Sequence, residues 1–194
     1  MRPESFARWS AHTPRKHADF VIRMGAEGDI EACVRLVMAI GAGEAASWRQ
    51  TLTRTVRDGE QRALFVAETC GQVVGYGRVV SVEADPAGQG TAPPGWYLLG
   101  LVVDDAWRRR GIGEALTTAR MAWVSERSDR LYYFTDRGNL ASQALHERLG
   151  FTRMPGTWVP PGGRPADAQS QQFYYADLRP GQGTGGPGRL GRRP

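Results

Sequence analysis

The chain has 194 residues, 41% of them hydrophobic, enough for one well-buried core and short for several. No apolar run approaches the roughly 20 residues of a membrane span, and the opening MRPESFARWSAHTPRKHADF holds no apolar signal-peptide core, so a cytoplasmic protein with no membrane partner is expected. The net charge of +5 sits at the ends: residues 1–16 carry +3, residues 179–194 carry +4 and the 162 residues between sum to −2, which counts against nucleic acid as a partner.

The predicted elements run in a regular order. Residues 1–18 are read as an N-terminal extension, 19–178 as the folded domain and 179–194, rich in Gly, Pro and Arg, as a disordered tail. Residues 20–23 read as a strand, and Ile30, Cys33, Val34, Val37 and Ile40 recur at helical spacing until Gly41 and Gly43. A second helix is predicted over 45–56, then two β-rich runs, 62–68 and 72–82, around the hairpin turn Cys70-Gly71. Residues 85–94 form a Gly- and Pro-bearing loop. A strand over 96–103, a helix over 114–124, a strand over 131–135, a helix after Asn139 and strands over 151–159 and 172–178 complete the chain. The order β-α-α-β-β-β-α-β-α-β-β predicts a mixed α/β layer arrangement with crossover helices covering the sheet. Cys33 and Cys70 offer neither a disulfide framework nor a metal-ligand spacing, and no metal is expected.

The segment WYLLGLVVDDAWRRRGIG, residues 96–113, carries the chemistry. It runs an apolar strand into a basic, glycine-bearing turn that opens a helix, where free N–H groups and the positive end of the helix dipole favour phosphate oxygens. A dinucleotide fingerprint fails because Leu116 stands where its third glycine belongs, and a P-loop fails because the sole lysine is Lys16. Three arginines, Arg108, Arg109 and Arg110, are unfavourable at a helix start unless an anion is expected there. Gly111 and Gly113 would let the backbone approach it closely.

What remains is R-x-x-G-x-G after a strand ending Leu101-Val102-Val103-Asp104. It resembles motif A of the GCN5-related N-acetyltransferase (GNAT) superfamily, and Asn139-Leu-Ala-Ser-Gln-Ala-Leu-His-Glu-Arg-Leu-Gly150-Phe151 resembles the family's second landmark. The likeness extends from about Asp19 to Leu178. It implies a GNAT fold, a largely antiparallel sheet whose fourth and fifth strands run parallel and splay apart, with acetyl-CoA as co-substrate. Leu101, Val102 and Val103 would then offer backbone to pantetheine, Arg108 to Gly113, Ile112 included, would hold the diphosphate, and Asn139 would reach the pantetheine arm.

His146 stands where many GNAT enzymes carry a tyrosine, in a helix similar to that of the phosphinothricin-type branch. The resemblance implies a general acid for the departing thiolate; the alternative is a half-buried histidine filling a tyrosine-sized gap. Glu83, Asp104 and Asp136 are candidates for the base, as is water relayed to bulk. Glu44, Trp48, Glu83, Asp85, Trp96 and Trp158 could line an amine pocket, acids attracting a cation and indoles packing on it. The expected activity is direct acetyl transfer to a primary amine of a small molecule, an aminoglycoside or a metabolic amine. A protein or peptide acceptor, a non-catalytic acyl-CoA sensor and a nucleic-acid-binding protein are the alternatives, and a homodimer is left open.

Overall fold

The computed structural model describes residues 20–85 and 91–178; the expected extension, the tail and residues 86–90 of the long loop lie outside the described residues. Among these, seven strands and four helices follow in the predicted order: β1 (Val21–Met24), α1 (Ile30–Ala39), α2 (Ala45–Arg57), β2 (Arg62–Thr69), β3 (Gln72–Val82), β4 (Gly95–Val103), α3 (Ile112–Ser125), β5 (Arg130–Asp136), α4 (Leu140–Arg148), β6 (Thr152–Arg153) and β7 (Gln171–Asp177). The strands lie side by side as β1-β2-β3-β4-β5-β7-β6. Neighbours pair antiparallel except β4 with β5.

The helical spacing of α1 puts Ile30, Cys33, Val34 and Val37 on one buried stripe. That stripe meets Leu52 of α2 and Leu64, Val66, Tyr76 and Val102 of the sheet. The opposite face is covered by α3, whose Ile112, Leu116 and Val124 pack on Ala63, Phe65, Leu98 and Tyr133. The apolar alternation of β2 to β4 therefore serves two cores, one per face. Cys70 and Gly71 both take positive φ, 47° and 75°, as a tight hairpin between β2 and β3 requires.

Two irregularities position the site. Pairing of β4 with β5 covers Trp96–Leu98 and Leu131–Tyr133 alone, so the parallel strands part beyond Leu98. Close by, the register of β3 against β4 shifts between Tyr76 and Arg78, leaving Gly100 and Leu101 opposite Gly77. This is a β-bulge on β4, and Gly100 meets its demand for a left-handed backbone with φ 57°. The bulge bends β4 as the splay begins, leaving Leu99–Val103 without a partner from β5.

Two boundaries need correction. The helix after the basic turn begins at Ile112, not residue 114. The strand expected over 151–159 reduces to Thr152–Arg153, because Pro155, Pro160 and Pro161 have no N–H to donate and Gly156 turns the chain at φ 90°. Val159 keeps a single parallel bridge, to Thr91.

Candidate functional site

The turn from β4 to α3 is built by short-range rules. Asp104 accepts a hydrogen bond from the Ala106 N–H at 2.9 Å, capping a one-turn 3₁₀ segment over Asp105–Trp107. Arg109 and Gly111 then take positive φ, 65° and 88°. Left-handed residues set in such a turn can aim neighbouring N–H groups toward one side, as in an anion-binding concavity. Gly111 is the N-cap residue of α3 and supplies no side-chain cap, so the first-turn amides are left for a ligand or water.

These amides open onto a cavity of about 590 Å³. Its walls come from the α1–α2 loop (Ile40, Gly41, Ala42, Gly43), from the unpaired end of β4 (Leu101, Val102, Val103), from the basic turn (Trp107, Arg108, Arg109, Ile112, Gly113) and from the start of α4 (Asn139, Ala141, Ser142, Leu145). A larger depression of about 760 Å³ follows the outer face of α2 past Arg49, Arg54 and Arg57; a single helix makes it, and it has no helix N-terminus to offer.

Most of the residues expected around a bound cofactor meet in this cavity: Leu101, Val102, Val103, Arg108, Arg109, Ile112, Gly113 and Asn139. Arg108 pairs with Asp105 at 2.7 Å and reaches the Val103 carbonyl at 3.3 Å. Arg110 turns away, its guanidinium 4.6 Å from the centroid of the Trp107 ring. Asn139 caps α4, its Oδ1 accepting from the Ser142 N–H at 3.2 Å. Asn139→Ala is therefore expected to cost about 1 kcal/mol of stability, while Asn139→Asp keeps the cap; denaturant midpoints check this.

The remaining candidates separate. Trp48 does not line the cavity but bonds its indole N–H to the carbonyl of Ala42, which does, and Glu44 lies exposed beside Gly43 at the start of α2. Trp96 does not line the pocket: it lies five residues before Leu101, roughly 16 Å along the strand, and packs edge-on against Trp123 of α3 at 5.2 Å. Glu83 is exposed just beyond the Val82–Gly95 pairing, at the opposite end of β4 from Val103. Trp158 packs against the small cluster of Ala92, Tyr97 and Phe173, and it does not line the cavity. Asp85 is exposed at the edge of the undescribed loop residues. Asp104 and Asp136 are both engaged in turns, Asp136 accepting from the Gly138 N–H at 2.8 Å. Among the described residues no carboxylate lines the cavity and no cluster of His, Cys, Asp and Glu could hold a metal.

His146 calls for the largest revision. Only 2% of it is exposed, and its ring stacks on Tyr133 with centroids 3.6 Å apart. Nδ1 donates to the Ser142 carbonyl at 2.8 Å and Nε2 has no partner. Burial, reinforced by the nearby Arg120 charge, pushes its pKa down to about 3. In this structure it is a neutral imidazole within the core. The face shared with Asn139 rests on counting seven helical residues, and Asn139 itself is not helical (φ −84°, ψ 66°). Counted within α4, Ala141, Ser142 and Leu145 face the cavity and His146 is turned into the core. Ser142 was not singled out from sequence. It lines the cavity and its Oγ accepts from the Tyr133 hydroxyl at 3.1 Å.

A mixed α/β sheet split between two parallel strands, with an uncapped helix N-terminus at the mouth of the split, is an arrangement suited to an extended phosphorylated ligand. The family model described as "Acetyltransferase (GNAT) family" matches residues 33–151, and the chain belongs to that family. It is similar to mycothiol acetyltransferases of Salinispora arenicola, 44% identical over 59 residues, and Salinispora tropica, 36% identical over 93 residues. These matches cover 29% and 46% of this chain but 19% and 28% of those proteins, so the chain spans only a minor part of their length. The solved ribosomal-protein-alanine N-acetyltransferase of Brucella melitensis superposes with a TM-score of 0.62 at 25% identity, over 81% of this chain and 99% of that one.

Proposed function

We propose that this chain transfers an acetyl group from acetyl-CoA directly to the primary amine of a small molecule. The observation that carries the reading is the continuity of the uncapped α3 N-terminus with the cavity along the unpaired end of β4. The residues present suit the co-substrate. First-turn amides of Ile112 and Gly113, with Arg108 and Arg109, would hold the diphosphate. The Leu101–Val103 backbone, beyond its last β5 partner, would take the pantetheine amides as an added strand takes its neighbour, and Asn139 would flank the same arm. When bound, acetyl-CoA supplies the activated acetyl group.

The chain's own part is orientation, exclusion of water and a hydrogen bond at the leaving sulfur. Backbone N–H groups near the bulge, at Leu101 or Val102, are candidates to meet the thioester oxygen. Ser142 Oγ, backed by the Tyr133 hydroxyl, is the polar group of α4 at the cavity wall. A thiolate of ordinary pKa, about 8.5, needs no strong acid to depart. The amine proton leaves by water, since among the described residues no carboxylate lines the cavity.

A peptide acceptor is the second reading, favoured by the likeness to the Brucella melitensis enzyme. Calorimetry with acetyl-CoA, followed by thiol release across small amines and peptide N-termini, tests all three readings. Small-amine turnover supports the proposal and turnover of peptides alone supports the second. Tight acetyl-CoA binding without thiol release from any amine would leave a non-catalytic sensor.

A further inference from the structure

Arg78 is a buried cation that no anion matches among the described residues. It lies on β3 opposite Leu99 and is 8% exposed. Its guanidinium sits 5.3 Å from the centroid of the Trp48 ring, and its Nε has no hydrogen-bond partner. The charged or titratable groups that act on it are the Tyr76 phenol and Arg62, and Arg62 already pairs with Asp58. Among the described residues Arg78 makes no ion pair. On the same strand and face, the Tyr76 hydroxyl is also buried without a partner.

Arg120 shows what a satisfied buried arginine looks like in this fold. It is 0% exposed, and its three nitrogens donate to the Leu116 carbonyl at 3.1 Å, the Arg78 carbonyl at 3.3 Å and Thr117 Oγ1 at 3.0 Å. Arg78 has no such set. Burying an uncompensated guanidinium opposes folding, and such a group persists where a ligand completes it.

The place of Arg78 indicates which ligand. A Cβ on Gly100 would lie 3.4 Å from Arg78 Nε, so the guanidinium lies over the bulge where β4 parts from β5. Trp48, which it faces, is tied to Ala42 of the cavity wall. The diphosphate-binding turn is at the far end of the cavity, beyond Val103. Arg78 is therefore beside the α1/α2 side of the split, away from the phosphates of the donor.

We propose that Arg78 receives a carboxylate of the acceptor, so that the substrates are amines carrying a carboxylate near the reacting nitrogen: amino acids or compounds shaped like them. A guanidinium matches a planar carboxylate with two parallel N–H donors, and the Tyr76 hydroxyl can donate a further bond. This rests on the acetyltransferase reading above.

The test uses the full chain, acetyl-CoA, and a panel of L-amino acids each paired with its carboxamide, with thiol release as the readout. The wild type will favour carboxylates over carboxamides in kcat/KM, and Arg78→Met will reduce that ratio by roughly 100-fold, the range for losing a hydrogen-bonded charge pair. Arg78→Lys will recover part of the ratio. In the unliganded protein Arg78→Met will raise Tm by about 2–4 °C, where a merely structural arginine would lower it. Carboxamides used as well as carboxylates, or a ratio that Arg78→Met does not change, would overturn the inference while leaving the acetyltransferase reading intact. Thiol release from no amine at all overturns both.

Discussion

Gly113→Asp will weaken acetyl-CoA binding by about 100-fold or more while leaving the fold as stable as before, or slightly more so. Gly113 is the second residue of α3 and lines the cavity. A Cβ there meets only the side chains of Leu145 and Leu101, at 3.6 and 3.7 Å, ordinary contact distances. An aspartate in the first turn of a helix interacts favourably with the dipole by about 0.3–1 kcal/mol and replaces a residue of poor helix propensity. The same carboxylate would stand where a diphosphate is to be held, and like charges in a desolvated site cost several kcal/mol. Stability and affinity thus move in opposite directions, which a general loss of structure cannot imitate. Gly113→Ala adds the Cβ without the charge and should affect binding far less. Calorimetry with acetyl-CoA and a thermal melt decide the matter: unchanged affinity in Gly113→Asp would remove the phosphates from the α3 N-terminus.

The parts of this site that were legible in the sequence are those set by neighbours in the chain. The run Arg108 to Gly113 had to be a turn entering a helix, since glycines flank Ile112 and an apolar strand precedes it; the structure gives it left-handed backbone at Arg109 and Gly111. The helix after Asn139 was legible for the same reason, and Asn139 caps it. What did not show was set by distant contacts. Arg78 sits in VVGYGRVV, an alternation in which a charged residue reads as solvent-facing. It is buried because α2, some 30 residues earlier, carries Trp48 across it. Trp96 was misassigned in the opposite sense, because nothing near it in sequence announces Trp123. The splay between β4 and β5 was expected from family likeness alone; the bulge at Gly100 opposite Gly77 that accompanies it depends on register with β3, and register is a tertiary fact.

His146 should act as an acid-sensitive element of the fold and leave no mark on the rate profile. Its pKa, pushed down to about 3 by burial, compares with 6.5 for the free side chain. The unfolded chain therefore binds a proton that the folded chain refuses, and stability falls as pH drops below about 6.5 and continues to fall toward 3. At 1.36 kcal/mol per pH unit the loss from this residue between pH 7 and pH 5 is about 2 kcal/mol, or about 4–8 °C in Tm for a chain of this size. His146→Phe keeps an aromatic ring against Tyr133 and Phe151, gives up the bond to the Ser142 carbonyl and cannot titrate. It is expected to be less stable than the wild type at pH 8 and to lose less stability on going to pH 5. The pH dependence of turnover between 6 and 9 should keep its shape in the variant, because His146 is neutral throughout that range. An ionisation near pH 6–7 in the wild-type rate that disappears in His146→Phe would instead mean that the imidazole reaches the reacting sulfur, and that the core environment described for it opens during turnover.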